Sequence, residues 1–515
     1  MTHATRLLAA VLGSLLLATP LAATTPAAQA ADSTIPLPHD DPFYAYDGST
    51  PLAQQPAGAV LDSRSVTLKV GSTVPMSATQ LLYRTQDELG RPSVTVTTVV
   101  APLNAAPLGV VSYLSFYDAL GDVCSPSYTY RTGDDSNEMA IVSTLVAQGY
   151  AVTIPDFEGE DLHWVAGHEA GWSTLDSIRA TESFLGVSAA STRVGLFGYS
   201  GGSIAGEWAS ELAASYAPEL NIVGTAIGGI PVHLAHNLAY IDGSQTWSGV
   251  IPAALVALAR AYEVDLGRYE SDYGKELAAT VADQCIGSFN GNYPGLTASQ
   301  LIKPGLPPLV EIPAATRILN RLIMGSEPGH PTMPMFMVAG DHDGTGDDVM
   351  IVGDVQGLAH EYCSEGTQIQ MQVVEGAEHG VAGVTFLATG ETWLLQRMAG
   401  VPMVDGCSSI PEGNSLDPLP VKPLTFSASL SAHDHGKRKD ALTVTAPSWA
   451  AGAPVTFYRG KGRHRRVVGR GTLSAAGTAS RVVRDRNGRT ITRYVAVVGA
   501  TADTKAVTTK RVKRR

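Results

Sequence analysis

The chain has 515 residues, 44% of them apolar, with 36 Lys and Arg against 48 Asp and Glu for a formal net charge of −12. That length and apolar content let the chain bury a large core and exclude a single ordinary domain, so two or more domains are expected. From Val421 onward about 21 Lys and Arg face only four Asp, at 434, 440, 485 and 503, so an acidic body carries a basic tail.

The first thirty residues combine Arg6, an apolar run ending near Leu21, and small residues at Ala28 and Ala30. This is the pattern of a signal peptide cut after Ala30, residues 1–30. The apolar run is shorter than the roughly 20 residues that span a bilayer, and no later segment reaches that length, so no transmembrane segment is expected and the mature protein is expected outside the cell.

A Pro-rich leader follows, "STIPLPHDDPFYAYDGSTPLAQQPAG", expected to run extended over the surface. The runs "SVTLKV", "ATQLLYRT" and "PSVTVTTVVAP" predict an opening antiparallel part of a sheet. From Gly109 apolar runs alternate with helical stretches: "GVVSYLSFY", "EMAIVSTLVAQG", "YAVTIPDF", "WSTLDSIRATESFLG", "RVGLFGYS", "GSIAGEWASELAASYA" and "NIVGTAIGG". Such alternation, with continuously apolar strands, predicts βαβ units and a mostly parallel sheet covered on both faces.

Residues 31–230 are therefore read as the first part of an α/β core. Residues 231–332 lack clear strands and read as a helical cap, the position where such a sheet takes functional insertions. The core resumes over 333–417 with "MPMFMVAG", "DVQGLAHEYCSEG", "QIQMQVVEG" and a final helix near "ETWLLQRMAG". A Pro-rich linker at 418–423 leads to 424–515, whose short Thr- and Val-rich runs predict a small all-β, sandwich-like domain.

Four cysteines, Cys124, Cys285, Cys363 and Cys407, in an exported chain predict two disulfides, with three pairings open. None of them forms a close pair with zinc-ligand spacing.

The strongest motif is "RVGLFGYSGGSIAGEWAS". An apolar strand runs into a serine between glycines and continues at once as a helix, which is the strand-to-helix turn that presents a nucleophile. Ser200 is the predicted nucleophile, Gly198 and Gly202 are the small neighbours that such a turn needs, and the N–H of Gly201 is placed to donate to an oxyanion. An acid and then a histidine are expected downstream. His379 follows the strand "QIQMQVV", where a loop returns its ring to the serine, while His330, His342 and His360 are placed less well. "AGDHDGTGDDVM" offers Asp341, Asp343, Asp347 and Asp348, and both Asp343 and Asp347 have the Gly-x-x-Asp spacing. A calcium loop, the competing reading of these carboxylates, lacks a matching downstream Glu.

With these motifs the chain resembles the secretory lipase family over roughly Asp41 to Cys407. Besides "GYSGG", the likeness rests on "CSPSYTYRTG", "AGHEAGWSTLDSIRA", "SYAPELNIVG" and "GGIPV". The resemblance implies an α/β-hydrolase with a helical cap, Ser200 as nucleophile and His379 as its histidine. Counting back from His379 through Cys363 puts the family's acid on Asp347. Counting forward from the strand at Pro334 puts it on Asp343. The local pattern "GTGDDVM" favours Asp347, with Asp343 kept as the alternative. "SYLSFYDAL" matches the segment carrying the family's second oxyanion donor, which implies Asp118 beside Gly201. It also implies disulfides Cys124–Cys285 and Cys363–Cys407, and it does not reach the basic tail.

The expected activity is hydrolysis of carboxylic esters, as a triacylglycerol lipase at a lipid–water interface, with no metal or organic cofactor. The apolar cap stretches Val250 to Ala261 and Ile318 to Met324 are expected to form the acyl tunnel. A short-chain carboxylesterase, a serine peptidase, and a surface-binding protein on an inactive hydrolase scaffold are the competing readings. The basic tail is expected to meet an anionic cell-surface polymer, giving cell-wall association, or to be a solvated face. Nucleic acid is not expected, since basic charge alone reads no bases.

Overall fold

In the computed structural model, residues 35–69, 74–103, 105–133, 136–485, 488 and 490–514 are described. The stretch read as a signal peptide lies outside them. Three strands open the sheet, β1 (Val60–Ser65), β2 (Met76–Gln86) and β3 (Pro92–Pro102), paired antiparallel as a meander. Then follow β4 (Val110–Leu114), α1 (Pro126–Thr132), α2 (Ser136–Ala147), β5 (Ala151–Pro155), α3 (Gly167–Leu185), β6 (Val194–Tyr199), α4 (Gly201–Tyr216) and β7 (Ile222–Gly228).

The segment between β7 and the next sheet strand holds α5 (Leu234–Tyr240), α6 (Val250–Ala261), α7 (Asp272–Val281), α8 (Ile286–Phe289), α9 (Ala298–Leu301) and α10 (Pro313–Arg321). Then β8 (Met335–Asp341), α11 (Val352–Glu365), β9 (Ile369–Glu375) and α12 (His379–Met398) complete the α/β layers.

The sheet order is β1-β2-β3-β5-β4-β6-β7-β8-β9, parallel from β5 through β9. Every residue of β4, β5 and β6 is buried, because helices cover both faces. Leu114, Leu196 and Met337 pack with residues of α3, α4 and α11 on one side. Val111, Phe197 and Phe386 pack with α2 and α12 on the other. Chain order reverses between β4 and β6, and in open α/β sheets ligands bind outside the strand ends at that point. The loops after β4 and β6 carry Asp118 and Ser200.

The remaining strands are β10 (Ser429–Asp434), β11 (Lys439–Thr445), β12 (Pro454–Arg459), β13 (Arg466–Thr472), β14 (Thr478–Arg484), β15 (Thr492–Val498), β16 (Val507–Thr508) and β17 (Val512–Arg514). They make a three-stranded sheet, β10-β11-β14, and a second sheet, β13-β12-β15, to whose last strand β16 and β17 both pair. Alternating residues such as Leu442, Val444, Phe457, Tyr494 and Ala496 join a core that continues into cap residues including Leu266 and Ile318.

Several expectations need correction. The first strand is "VLDSRS", Val60–Ser65, starting earlier than the expected "SVTLKV", of which Ser65 lies in the strand and Val66 still donates to the Ala78 carbonyl of β2 at 3.0 Å. The leader is not simply extended: it makes 3-10 turns at Pro38–Asp40, Pro42–Tyr44 and Leu52–Gln54. It also buries Phe43 against Leu82, Val94 and Val96. The last core helix begins at His379, about a dozen residues before the stretch that suggested it. Within the C-terminal strands, "VKR" pairs with β15 as β17. Both disulfides have the implied pairing, Cys124–Cys285 and Cys363–Cys407.

Candidate active site

Ser200 sits between β6 and α4 with φ 53° and ψ −120°, a conformation costly for a residue bearing a Cβ and one that clusters at functional sites. The surroundings fix it. Its N–H donates to the Gly228 carbonyl at 2.9 Å, and its own carbonyl accepts from the Ser203 N–H at 2.8 Å. A Cβ at Gly198 would strike the Gly202 carbonyl, and one at Gly202 would strike Leu114. These are the close approaches that the two glycines permit.

His379 comes to Ser200 from the first position of α12. The helix start is capped by Glu378, whose carboxylate accepts from the N–H groups of Gly380 and Val381. Nε2 of His379 lies 2.8 Å from the Ser200 Oγ, and Nδ1 lies 2.8 Å from Oδ2 of Asp347. The tautomer with its proton on Nδ1 donates to Asp347 and leaves Nε2 to accept from the serine hydroxyl. Tyr199 braces the ring's backbone by donating to the His379 carbonyl at 2.5 Å, and Trp247 of the cap meets the imidazole edge-on at 5.3 Å.

Asp347 is fully buried. Its other oxygen accepts from Met350 N–H at 2.7 Å and Val349 N–H at 3.2 Å, and its carbonyl accepts from the His379 N–H at 2.9 Å. Asp343, the alternative, is exposed and turned back on its own loop, accepting from Thr345 N–H at 2.8 Å and Gly346 N–H at 3.0 Å. Slight burial pushes its carboxyl up, but those N–H groups outweigh this and hold it below the ordinary carboxylate range. Of the two aspartates, Asp347 is the one at the imidazole. Asp348 and His342 bond each other at 2.9 Å in the same exposed loop, and His330 faces Glu365 at 3.7 Å.

Asp118 lies beside Gly201, close enough that a Cβ on Gly201 would overlap its carboxylate. One carboxylate oxygen accepts from the Trp164 indole N–H at 2.5 Å. Burial pushes the Asp118 carboxyl up to about 6, with Trp164 and His379 opposing. The loop is laced to the cap: Leu120 N–H donates to the Gln284 carbonyl at 2.9 Å and Ile286 N–H to the Asp118 carbonyl at 3.0 Å. The Cys124–Cys285 disulfide closes the same junction. Glu158 supports it from below, accepting from Ala119 N–H at 3.3 Å.

A cavity of about 60 Å³ opens on Ser200, Gly201 and Asp118 beneath Trp247, Val250, Ala254 and Leu258. The α6 part of the expected tunnel lines this cavity. The stretch Ile318 to Met324 does not: Ile318, Leu319 and Leu322 pack into the core that joins cap and C-terminal strands, while Ile323 and Met324 pack against the sheet. A separate cleft of 1060 Å³, lined in part by Asp122, Asp161 and Asp283, does not include Ser200 or His379. Trp164 and Trp247 were not anticipated; an isolated tryptophan in a sequence looks the same in a core as beside an active centre. Among the described residues no group of three or more His, Cys, Asp and Glu side chains is arranged to hold a metal ion.

Sheet order, helical layers and the serine turn are those of an α/β-hydrolase. Residues 125–406 match the secretory lipase family model. A secreted triacylglycerol lipase of Malassezia globosa is 34% identical over 398 residues, covering 72% of this chain and 83% of that protein. A Mycobacterium tuberculosis protein named as a probable inactive lipase is 32% identical over 388 residues, covering 72% and 84%. The X-ray structure of Candida antarctica lipase A superposes with a TM-score of 0.67 at 28% identity, covering 72% of this chain and 89% of that one. The chain belongs to the secretory lipase family.

Proposed function

We propose that the protein is an extracellular hydrolase of carboxylic esters, triacylglycerols foremost, working through an acyl-enzyme on Ser200. The contact chain from Asp347 through His379 to the Ser200 hydroxyl, at the floor of an apolar cavity, carries this reading. His379 Nε2 takes the hydroxyl proton as Oγ attacks the ester carbonyl, and Asp347 holds the ring in the tautomer that can accept it. The Gly201 N–H and Asp118 donate to the tetrahedral oxyanion. A carboxylic acid donates only when protonated, a state that burial of Asp118 favours. His379 then gives its proton to the leaving alkoxide, the alcohol departs, and water attacks the acyl-enzyme by the same steps. The apolar lining by Ile204, Leu238, Ile241 and Leu258 suits an acyl chain better than a peptide.

The test is hydrolysis of p-nitrophenyl esters of rising acyl length by wild type and Ser200→Ala. The expected outcome is turnover extending to long chains, reduced about 10⁶-fold in kcat by the substitution. Turnover confined to short chains reassigns the protein as a carboxylesterase. Equal turnover by both proteins sinks the nucleophile. The second reading, an inactive scaffold that binds surfaces, is favoured by the name of the Mycobacterium relative. Unbroken serine–histidine–aspartate contacts count against it, and a wild type without esterase activity would establish it.

A further inference from the structure

The four carboxylates of residues 421–515 are all engaged away from one cationic face. Asp440 accepts from the Tyr494 hydroxyl at 2.8 Å inside the core. Asp485 pairs with Arg459 and accepts from the Thr492 hydroxyl. Asp434 pairs with Arg514 at 2.8 Å. Asp503 is turned to the cap, where it accepts from the Tyr269 hydroxyl at 2.7 Å and pairs with Arg317. Tyr494 and Phe457 point into the core, so their neighbours along β12 and β15 face out. On that outer face the register puts Arg493 of β15 directly across from Lys513 of β17, and Arg470 of β13 across from Thr456. Like charges directly opposite are destabilising unless something neutralises them.

A cavity of 210 Å³ opens on this face, lined by Arg465, Arg511, Thr508 and Thr509 among others. Among the described residues neither arginine pairs with a carboxylate. The Arg465 guanidinium lies 4.7 Å from the centre of the Tyr458 ring, which holds its plane and leaves its edge N–H groups open. Thr509 is buried, and its hydroxyl oxygen accepts from the Ala496 N–H at 3.0 Å; its proton is left to donate.

We propose that Arg465, Arg511 and the Thr509 hydroxyl form a subsite for a phosphate ester group, by which the C-terminal strands attach the protein to a phosphate-bearing extracellular polymer. The oxygens of a phosphate ester diverge tetrahedrally and so meet two guanidinium forks and a hydroxyl that approach from different directions, whereas the two oxygens of a carboxylate share one plane. Arg470, Arg493 and Lys513 on the same face serve neighbouring phosphates of the chain. The polymer's extracellular place rests on the secreted reading above; the phosphate subsite does not depend on it or on Ser200.

The test is binding of the full chain to long-chain polyphosphate, with inorganic phosphate as competitor. Polygalacturonate and phosphatidylglycerol vesicles serve as carboxylate and lipid alternatives. The double variant Arg465→Ala/Arg511→Ala is expected to bind polyphosphate about 10-fold more weakly or worse. Arg481→Ala/Arg484→Ala on β14 removes the same charge from the other sheet and is expected to stay within about 3-fold of wild type. Inorganic phosphate should compete with wild type and not with the first variant. Equal weakening in both double variants overturns the subsite in favour of diffuse charge. Tighter binding to polygalacturonate or to vesicles than to polyphosphate overturns the phosphate assignment, and so does an absence of polyphosphate binding. All of these proteins should melt together and keep the same p-nitrophenyl ester turnover, so failure here is separable from failure of the hydrolase reading.

Discussion

The turn at Ser200 and the helical insertion above it are held by different kinds of contact. The turn is locked by main-chain bonds and by glycines packed against backbone, in a sheet buried on both faces. The insertion is fastened at separate points: the disulfide and bridge at Cys285, Asn237 donating to the Val349 carbonyl at 2.8 Å, Tyr262 donating to Glu88 at 2.6 Å, and Asp503 at the far side. The Ser200 turn is thus fixed by its own backbone, while the insertion is tied to the body by a mixture of main-chain bonds, one disulfide and side-chain contacts.

The largest expected effect separates the two aspartates of the acid loop. Asp347→Ala should lower kcat by about 10⁴-fold, while Asp343→Ala should stay within about 3-fold, because its bonds only shape an exposed turn. Steady-state kinetics on one soluble ester decide this, and comparable losses from both would remove the distinction. The next effect tests the insertion. Asp503→Ala leaves the Tyr269 hydroxyl and Arg317 without their acceptor and should cost about 1–3 kcal/mol in denaturant unfolding, with short-chain ester kcat unchanged. A drop in kcat without loss of stability would mean that the C-terminal strands reach the reacting groups after all.

The smallest effect is a slope with pH. Burial pushes Asp156, Glu169, Glu182 and Glu211 up to about 7. An acid whose folded pKa lies above its unfolded value contributes stability that is fully present below the unfolded pKa, near 4, and lost as pH rises through the folded one. Melting temperature should therefore fall from pH 5 to pH 8. A flat or rising curve would show that these carboxylates are not held neutral inside.

Legibility in the sequence followed the same division. Ser200 and the parallel strands could be read because a fully buried strand and a serine between glycines leave a local signature. His379 was found by order along the chain, yet its place at the head of a helix was not, since "EGAEHG" looks like loop until Glu378 is seen capping α12. The choice between Asp347 and Asp343 rested on the resemblance, because both share the same spacing. What separates them is a fold-back in which the His342 N–H donates to the Gly346 carbonyl at 2.6 Å, a contact with no sequence mark. The cap's lining was half legible: both expected tunnel stretches carry Ile, Leu or Val side chains, and only tertiary packing sends those of α6 to the cavity and Ile318, Leu319 and Leu322 to the core shared with the C-terminal strands.

The junction at Cys285 has a mechanical consequence. A β-bridge from Ala119 to Cys285 and the Cys124–Cys285 bond join the insertion to the loop carrying Asp118, so the position of that loop and the position of the insertion are coupled. The same part of the insertion reaches the imidazole: the Gly291 N–H donates to the Thr246 carbonyl at 2.7 Å, and the adjacent Trp247 rests edge-on against His379.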